Sequence, residues 1–176
     1  MKHRPIVGVM GSGRHSHTSR TEPLGMWLAS IGVNLLTGGG PGVMGAVSRA
    51  FVSVIPRAGV SIGILPARGE DSTPPPGYPN EWVEIPIRTH LSKTGRFGID
   101  PMSRNHLNIL SSDVIVALPG SEGTASEVEL AIRYGRPTIA FVDNRSDIPG
   151  VDPEIPIGVT LAEVQAFVDA NLPQWP

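Results

Sequence analysis

The sequence predicts an α/β protein of the doubly wound, Rossmann-like class: a mostly parallel sheet with helices on both faces, in a single domain over residues 1–176. Three observations predict it. Apolar runs of strand length recur at 6–10, 33–36, 60–65, 114–118 and 138–142, with helically spaced stretches between most of them. That alternation means parallel strands joined by crossover helices. Three of these runs end in glycine-rich turns, Gly11-Ser12-Gly13, Gly38-Gly39-Gly40-Pro41-Gly42 and Gly120-Ser121-Glu122-Gly123, and ligands of open α/β sheets bind at that carboxyl edge. The length of 176 residues suits one core, and no linker divides the chain.

Each element has its local reason. The strand at 6–10 runs into Gly11-Ser12-Gly13-Arg14, a tight turn that carries a cation. Thr21 is positioned to cap a helix over 22–31, with Pro23 in its first turn and Gly32 at its end. The strand at 33–36 meets the densest glycine run of the chain. A helix over 43–55 follows, with Val43, Val47, Ala50, Phe51 and Val54 on its apolar side. After the strand at 60–65, residues 66–80 are rich in proline and glycine and form a long irregular loop, the kind that serves as a lid or a binding loop. Residues 82–87 read as a short or edge strand because Pro86 cannot donate to a ladder. The segment 88–99 is cationic, with Arg88, His90, Lys93 and Arg96. Asp100-Pro101 reads as a helix start, with Met102, His106, Ile109 and Leu110 as its apolar stripe and Arg104 and Asn108 on another face.

The stretch 118–127, L-P-G-S-E-G-T-A-S-E, is where the chemistry concentrates. A buried strand enters it and a helix over 125–134 leaves it. Thr124 and Glu127 have the spacing of a capping box. A glycine turn that feeds a helix start offers free N–H groups to an anion, which makes this stretch half of a site for a phosphorylated small molecule. The strand at 138–142 precedes a polar loop at 143–156. Thr160 and Glu163 form a capping box for a last helix over 161–172.

Composition excludes several classes. Apolar residues make up 40% and charged residues 17%, and the net charge is −2. A nucleic-acid or membrane-surface binder would need a basic excess. No stretch approaches the ~20 apolar residues of a membrane helix, and a soluble cytoplasmic protein is expected. The chain has no cysteine, so disulfides, thiolate metal sites and cysteine nucleophiles are absent. The basic residues are 12 arginines and 2 lysines, and the arginine fork suits phosphate and carboxylate recognition. The first turn lacks full G-x-G-x-x-G spacing, and no G-K-[ST] occurs, so neither a dinucleotide site nor a P-loop is indicated.

Two family resemblances are carried by these motifs. Residues 36–47, L-T-G-G-G-P-G-V-M-G-A-V, with residues 119–127, resemble the superfamily once called lysine decarboxylases. Its best-known members are the cytokinin-activating "lonely guy" phosphoribohydrolases. Their catalytic arginine and glutamate fall here on Arg104 and Glu127. This sequence departs from their pattern at Ser121, at Asn105 and in the spacing of Glu127 and Glu129. A closer resemblance is to the molybdenum cofactor carrier proteins, a non-catalytic branch of the same fold. P-I-V-G-V-M-G-S-G-R, V-E-I-P-I, S-R-N-H-L-N-I-L-S-S-D-V-I-V-A and E-G-T-A-S-E-V-E-L-A carry it, together covering most of residues 5–142.

The second resemblance implies a homo-oligomer, dimer or tetramer, that carries the molybdenum cofactor (molybdopterin) and hands it to molybdoenzymes. The residues expected at the ligand are Gly11, Ser12, Gly13, Arg14, Gly38, Gly39, Gly40, Arg104, Gly120, Ser121, Glu122, Gly123 and Thr124. Arg14, Arg88, Arg96 and Arg104 are the cations available to an anion. The alternative is a phosphoribohydrolase acting on a nucleoside 5′-monophosphate through Arg104 and Glu127, and a third reading is a nucleotide sensor without chemistry. Plainer roles stay open at this point: Glu127 as a cap, Arg104 as a surface ion pair, Arg14 as a solvated cation, His106 as a core histidine, and His15 and His17 as loop residues.

Overall fold

The computed structural model describes residues 3–69 and 72–174; Met1, Lys2, Glu70, Asp71, Trp175 and Pro176 lie outside them. Seven strands form one sheet: β1 (Ile6–Met10), β2 (Asn34–Thr37), β3 (Ser61–Leu65), β4 (Ile85–Arg88), β5 (Val114–Ala117), β6 (Thr138–Phe141) and β7 (Ile157–Gly158). The helices are α1 (Thr18–Ser30), α2 (Val43–Val52), α3 (Asn105–Leu110), α4 (Glu122–Arg133) and α5 (Leu161–Asn171). The sheet order is β4-β3-β2-β1-β5-β6-β7 and every pairing is parallel.

Strand periodicity explains the layering. Val7 and Val9 of β1, Leu35 of β2 and Val114 and Val116 of β5 point to one face, where Leu24 and Leu28 of α1, Val47 and Phe51 of α2 and Val164 and Val168 of α5 cover them. Met10, Leu36, Ile64 and Ile115 point to the other face, under Ile109 of α3 and Leu130 and Ala131 of α4. Central strands that are apolar on both sides fit a sheet buried on both faces. The edge strand β4 is exposed throughout and carries Pro86, as its composition predicts. Among the described residues no helix is long and apolar enough to cross a membrane.

Several boundaries differ from the sequence expectation. α1 starts at Thr18, earlier than expected, with His17 in a left-handed conformation at φ 45° as its N-cap. Thr21 is buried inside the helix, and its hydroxyl donates to the carbonyls of Ser16 and His17 instead of capping. α2 stops at Val52, ahead of Pro56. The helix expected from Asp100 starts only at Asn105, because Asp100 caps a separate turn through the Met102 N–H. Met102 and Leu110 of its expected stripe are exposed, and Ile109 alone of the apolar residues is buried. His106 has its partners but does not lie in the core: half-buried, it bonds the Tyr134 hydroxyl and the carbonyls of Ile99 and Asp100.

The proposed capping box at Thr124 and Glu127 does not exist. α4 begins two residues before Thr124, so Glu127 lies in its second turn and faces inward. Ser121 occupies the N-cap position without a side-chain bond to the first turn. The opposite holds at α5, where Thr160 and Glu163 cap each other reciprocally. Thr160→Ala is expected to cost about 1 kcal/mol, whereas Ser121→Ala should leave stability nearly unchanged. Urea denaturation of the two variants checks the contrast.

Candidate functional site

The order of the sheet reverses at β1, with β2 on one side and β5 on the other. The glycine turns after β2, β1 and β5 are therefore neighbours along one edge, at the switch point where such sheets bind ligands. Ser12 stitches them together. Its N–H donates to the Pro119 carbonyl at 3.1 Å, and its carbonyl accepts from the Val43 N–H at 2.8 Å. Its hydroxyl accepts from the N–H groups of Arg14 and His15. Gly42 makes this approach feasible: φ is +68°, and a β-carbon there would collide with the Ser12 carbonyl.

These turns enclose a cavity of about 250 Å³ lined by Gly11, Ser12, Gly13, Tyr78, Thr94, Gly95, Arg104, Asn105, Ser121, Gly123, Thr124 and Glu127, among others. It continues into a wider outer chamber of about 890 Å³. Ser12, Gly13, Tyr78, Thr94, Gly95 and Ser121 belong to both. The outer chamber adds Arg14, His15, His17, Gly120 and Asp147.

Arg104 is the unusual residue. It sits just before α3, only 6% exposed, and its Nε and Nη1 have no hydrogen-bond partner. It belongs to none of the ion pairs among the described residues. Its guanidinium rests on Gly38, where a β-carbon would come within 2.5 Å of Nη1, and lies 5.9 Å from the centre of the Tyr78 ring. A buried guanidinium with open donors is costly unless an anion completes it. The uncapped N-terminus of α4 adds further unsatisfied N–H groups on the same cavity.

Glu127 faces the same space and is 8% exposed. It accepts from Asn108 Nδ2 at 3.1 Å, which leaves Asn108 Oδ1 without a partner. Burial pushes the Glu127 carboxyl above the ordinary carboxylate range, and the Arg104 charge and the Asn108 hydrogen bond oppose that push only in part. The cavity thus pairs a fixed positive charge with a carboxyl biased toward its neutral form.

The expected ligand residues separate into groups. Gly11, Ser12, Gly13, Arg104, Ser121, Gly123 and Thr124 line the inner cavity, and Arg14 and Gly120 line the outer chamber. Gly38, Gly39 and Gly40 stand behind the cavity. Gly38 seats Arg104, Gly39 packs on Leu65, and Gly40 lets the Tyr78 ring lie against the turn. Glu122 faces a different hollow, beside Arg96, Glu129 and Asp152. Arg88 and Arg96 are exposed and line neither chamber. Tyr78, Thr94, Gly95 and Asn105 were not foreseen. Asn80 pins the long loop to the glycine turn through its N–H to the Gly39 carbonyl and its side chain to the Gly40 carbonyl, and so places Tyr78. A lone aromatic two residues from an asparagine in a proline-rich loop was the available signal. Among the described residues no group of three or more histidine, cysteine, aspartate or glutamate side chains could hold a metal ion.

Fold and site together define a doubly wound α/β protein with a cavity at its switch point that is lined by a buried, unpartnered guanidinium. The chain belongs to the SLOG cluster4 family, which matches residues 4–162. Its structure is similar to that of the molybdenum cofactor binding protein of the phototrophic bacterium Rippkaea orientalis. The two are 29% identical, with a TM-score of 0.75, over 96% of this chain and 97% of the other. The molybdenum cofactor carrier protein of Chlamydomonas reinhardtii is also 29% identical, with a TM-score of 0.71, over 96% of this chain and 98% of its own. An uncharacterized protein of Archaeoglobus fulgidus is 28% identical over 132 residues, 74% of this chain and 75% of its own.

The buried Glu127 gives a pH signature. With its folded pKa raised, the stability that its neutral form contributes is complete below the unfolded carboxylate pKa. That stability is lost as pH rises through the folded value, with a slope of at most ~1.4 kcal/mol per pH unit. Glu127→Gln is expected to flatten this slope and to raise stability at neutral pH, because the glutamine oxygen still accepts from Asn108. Urea unfolding of both proteins from pH 4 upward, without ligand, tests it; parallel curves would mean that Glu127 is ionised at no cost.

Proposed function

We propose that this protein binds and carries the molybdenum cofactor, with the molybdopterin phosphate at Arg104 and the glycine turns. The observation that carries this reading is the buried guanidinium with open donors, facing a helix start that the chain itself leaves uncapped. A phosphate satisfies both at once. The named ligand of the two solved relatives supports this cofactor over a nucleoside monophosphate. Size agrees with it: the inner cavity is below the usual range of small-molecule pockets, so a larger ligand must extend into the outer chamber. The chain has no cysteine to bind the metal as a thiolate, so charge and hydrogen bonds do the holding and the cargo stays releasable to molybdoenzymes. A cytoplasmic site of action belongs to the same reading.

Arg104→Ala removes a charge-assisted hydrogen bond worth about 1.5–3 kcal/mol. Cofactor affinity should therefore fall by about one to two decades. Equilibrium binding of the isolated cofactor to wild type and variant measures this, and equal affinities would place the phosphate elsewhere. Release of adenine from AMP at more than trace rate, without cofactor retention, would make the protein a phosphoribohydrolase instead.

The reading includes a homo-oligomer, dimer or tetramer. Phe97, Ile99, Met102, Leu107, Leu110 and Ile132 are exposed apolar side chains on α3, α4 and the segment before them, and such an exposed set marks an association surface. Leu107→Asp together with Leu110→Asp should reduce the mass seen by light scattering to that of one chain. A wild-type protein that is monomeric at micromolar concentration would contradict the assignment.

A further inference from the structure

Glu127 is the one carboxyl among the described residues that line the inner cavity. Its Oε1 accepts from Asn108 Nδ2 at 3.1 Å, and its other oxygen makes no hydrogen bond among the described residues. Few charges surround it. Arg104, just before α3, is the charged group that acts on it. On α3, His106 is turned to Tyr134. On α4 itself, Glu122 and Glu129 face a separate hollow with Arg96, and Arg133 pairs with Glu129. β5 and β6, beneath α4, carry no titratable side chain. The long loop brings Tyr78 to the cavity, and the segment at Thr94 and Gly95 brings no charge. Arg14, His15, His17 and Asp147 belong to the outer chamber. Burial outweighs the pull of Arg104 and of the Asn108 hydrogen bond and favours the neutral carboxyl. A neutral carboxyl can donate a hydrogen bond to an anion, whereas an ionised one only accepts and repels it. With Oε1 taken by Asn108, the proton of the neutral acid falls on Oε2.

We propose that Glu127 is a ligand-binding residue that works in its protonated form, its Oε2–H donating to an oxygen of the phosphate held at Arg104, so that binding to the ionised form takes up one proton from solvent. The inference rests on the reading that a phosphate occupies this cavity. Carboxylate, proton and anion combine into a carboxylic acid that holds the anion, and on release the proton returns to solvent. An anion beside a carboxyl favours its neutral form further. Binding is therefore strongest at low pH, where Glu127 is already neutral. It weakens as pH rises through the value at which the free protein loses that proton, by at most about tenfold per pH unit. Loss of a single proton thus loosens the ligand.

Calorimetric titration with glycerol 3-phosphate counts the protons taken up per ligand, from about pH 5 to about pH 8, in phosphate-free buffers of different ionisation enthalpy. The second ionisation of the ligand, near about pH 6, is common to every variant, so comparison with Glu127→Gln isolates the carboxyl. Glutamine keeps an acceptor for Asn108 and offers an N–H where the acid offers an O–H. That variant should match the wild type at the acid end, bind about tenfold tighter at the alkaline end, and take up fewer protons, by at most about one. Glu127→Ala lacks the donor and should bind about tenfold more weakly than Glu127→Gln throughout. Equal proton uptake and parallel pH profiles in the wild type and Glu127→Gln would overturn the proposal and leave the phosphate at Arg104. A wild type that binds no glycerol 3-phosphate at any pH would overturn it together with the placing of the phosphate.

Discussion

An arginine side chain is buried at the carboxyl edge of the sheet with two of its nitrogens unpartnered, and most of the local architecture can be traced to holding it there. Gly38 gives up a side chain so that the guanidinium can rest against the turn after β2. Tyr78 closes over it from the long loop, and Asn80 ties that loop to the carbonyls of Gly39 and Gly40. Asn108, on the same side of α3, occupies the neighbouring carboxylate of Glu127. Left to itself a buried unpaired cation destabilises a fold. Its presence here, in none of the ion pairs among the described residues, is what the proposed binding of an anion from outside would explain.

Topology makes the arrangement possible. Residues 11–13, 38–42, 104 and 120–124 are far apart in the chain, yet the strand order β2-β1-β5 sets the three glycine turns side by side. Ser12 then bonds to both neighbouring turns, through Pro119 on one side and Val43 on the other. Apolar burial on the two faces of the sheet holds the strands in that order. The driving force for folding and the geometry of the site are therefore the same set of contacts seen from different ends.

The alternation of elements, the carboxyl-edge glycine turns, the edge character of β4 and the shared face of Arg104 and Asn108 were all legible in the sequence, because each follows from local periodicity or from residues that break it. The errors have a common physical origin. Thr21, Asp100 and Thr124 are good caps by residue type, but in the fold each satisfies something else or lies inside its helix. Cap preference is local, whereas helix starts in this protein are set by where a strand turn delivers the chain. Glu127 has capping-box spacing and yet is a buried group beside Asn108, a pairing across 19 residues that local spacing cannot reveal. Tyr78 was missed for the same reason, since only the Asn80 hydrogen bonds to a distant turn bring it to Arg104. The two-residue strand β7 is too short to carry a periodic signal.

The charge arrangement of the cavity fits the proposed binding role. If Arg104 and Glu127 were a closed ion pair, the guanidinium would already be satisfied and a phosphate would have to displace a carboxylate. They are not paired, and burial biases Glu127 toward the neutral acid. The cavity therefore meets an incoming anion with an unpaired guanidinium and an uncapped helix start. With no cysteine in the chain, no thiolate can bond to a metal-bearing ligand, and the polar contacts on offer are hydrogen bonds and charge, beside apolar walls from Met10, Met44 and Tyr78. Such a site, as proposed, holds its ligand without a covalent thiolate bond.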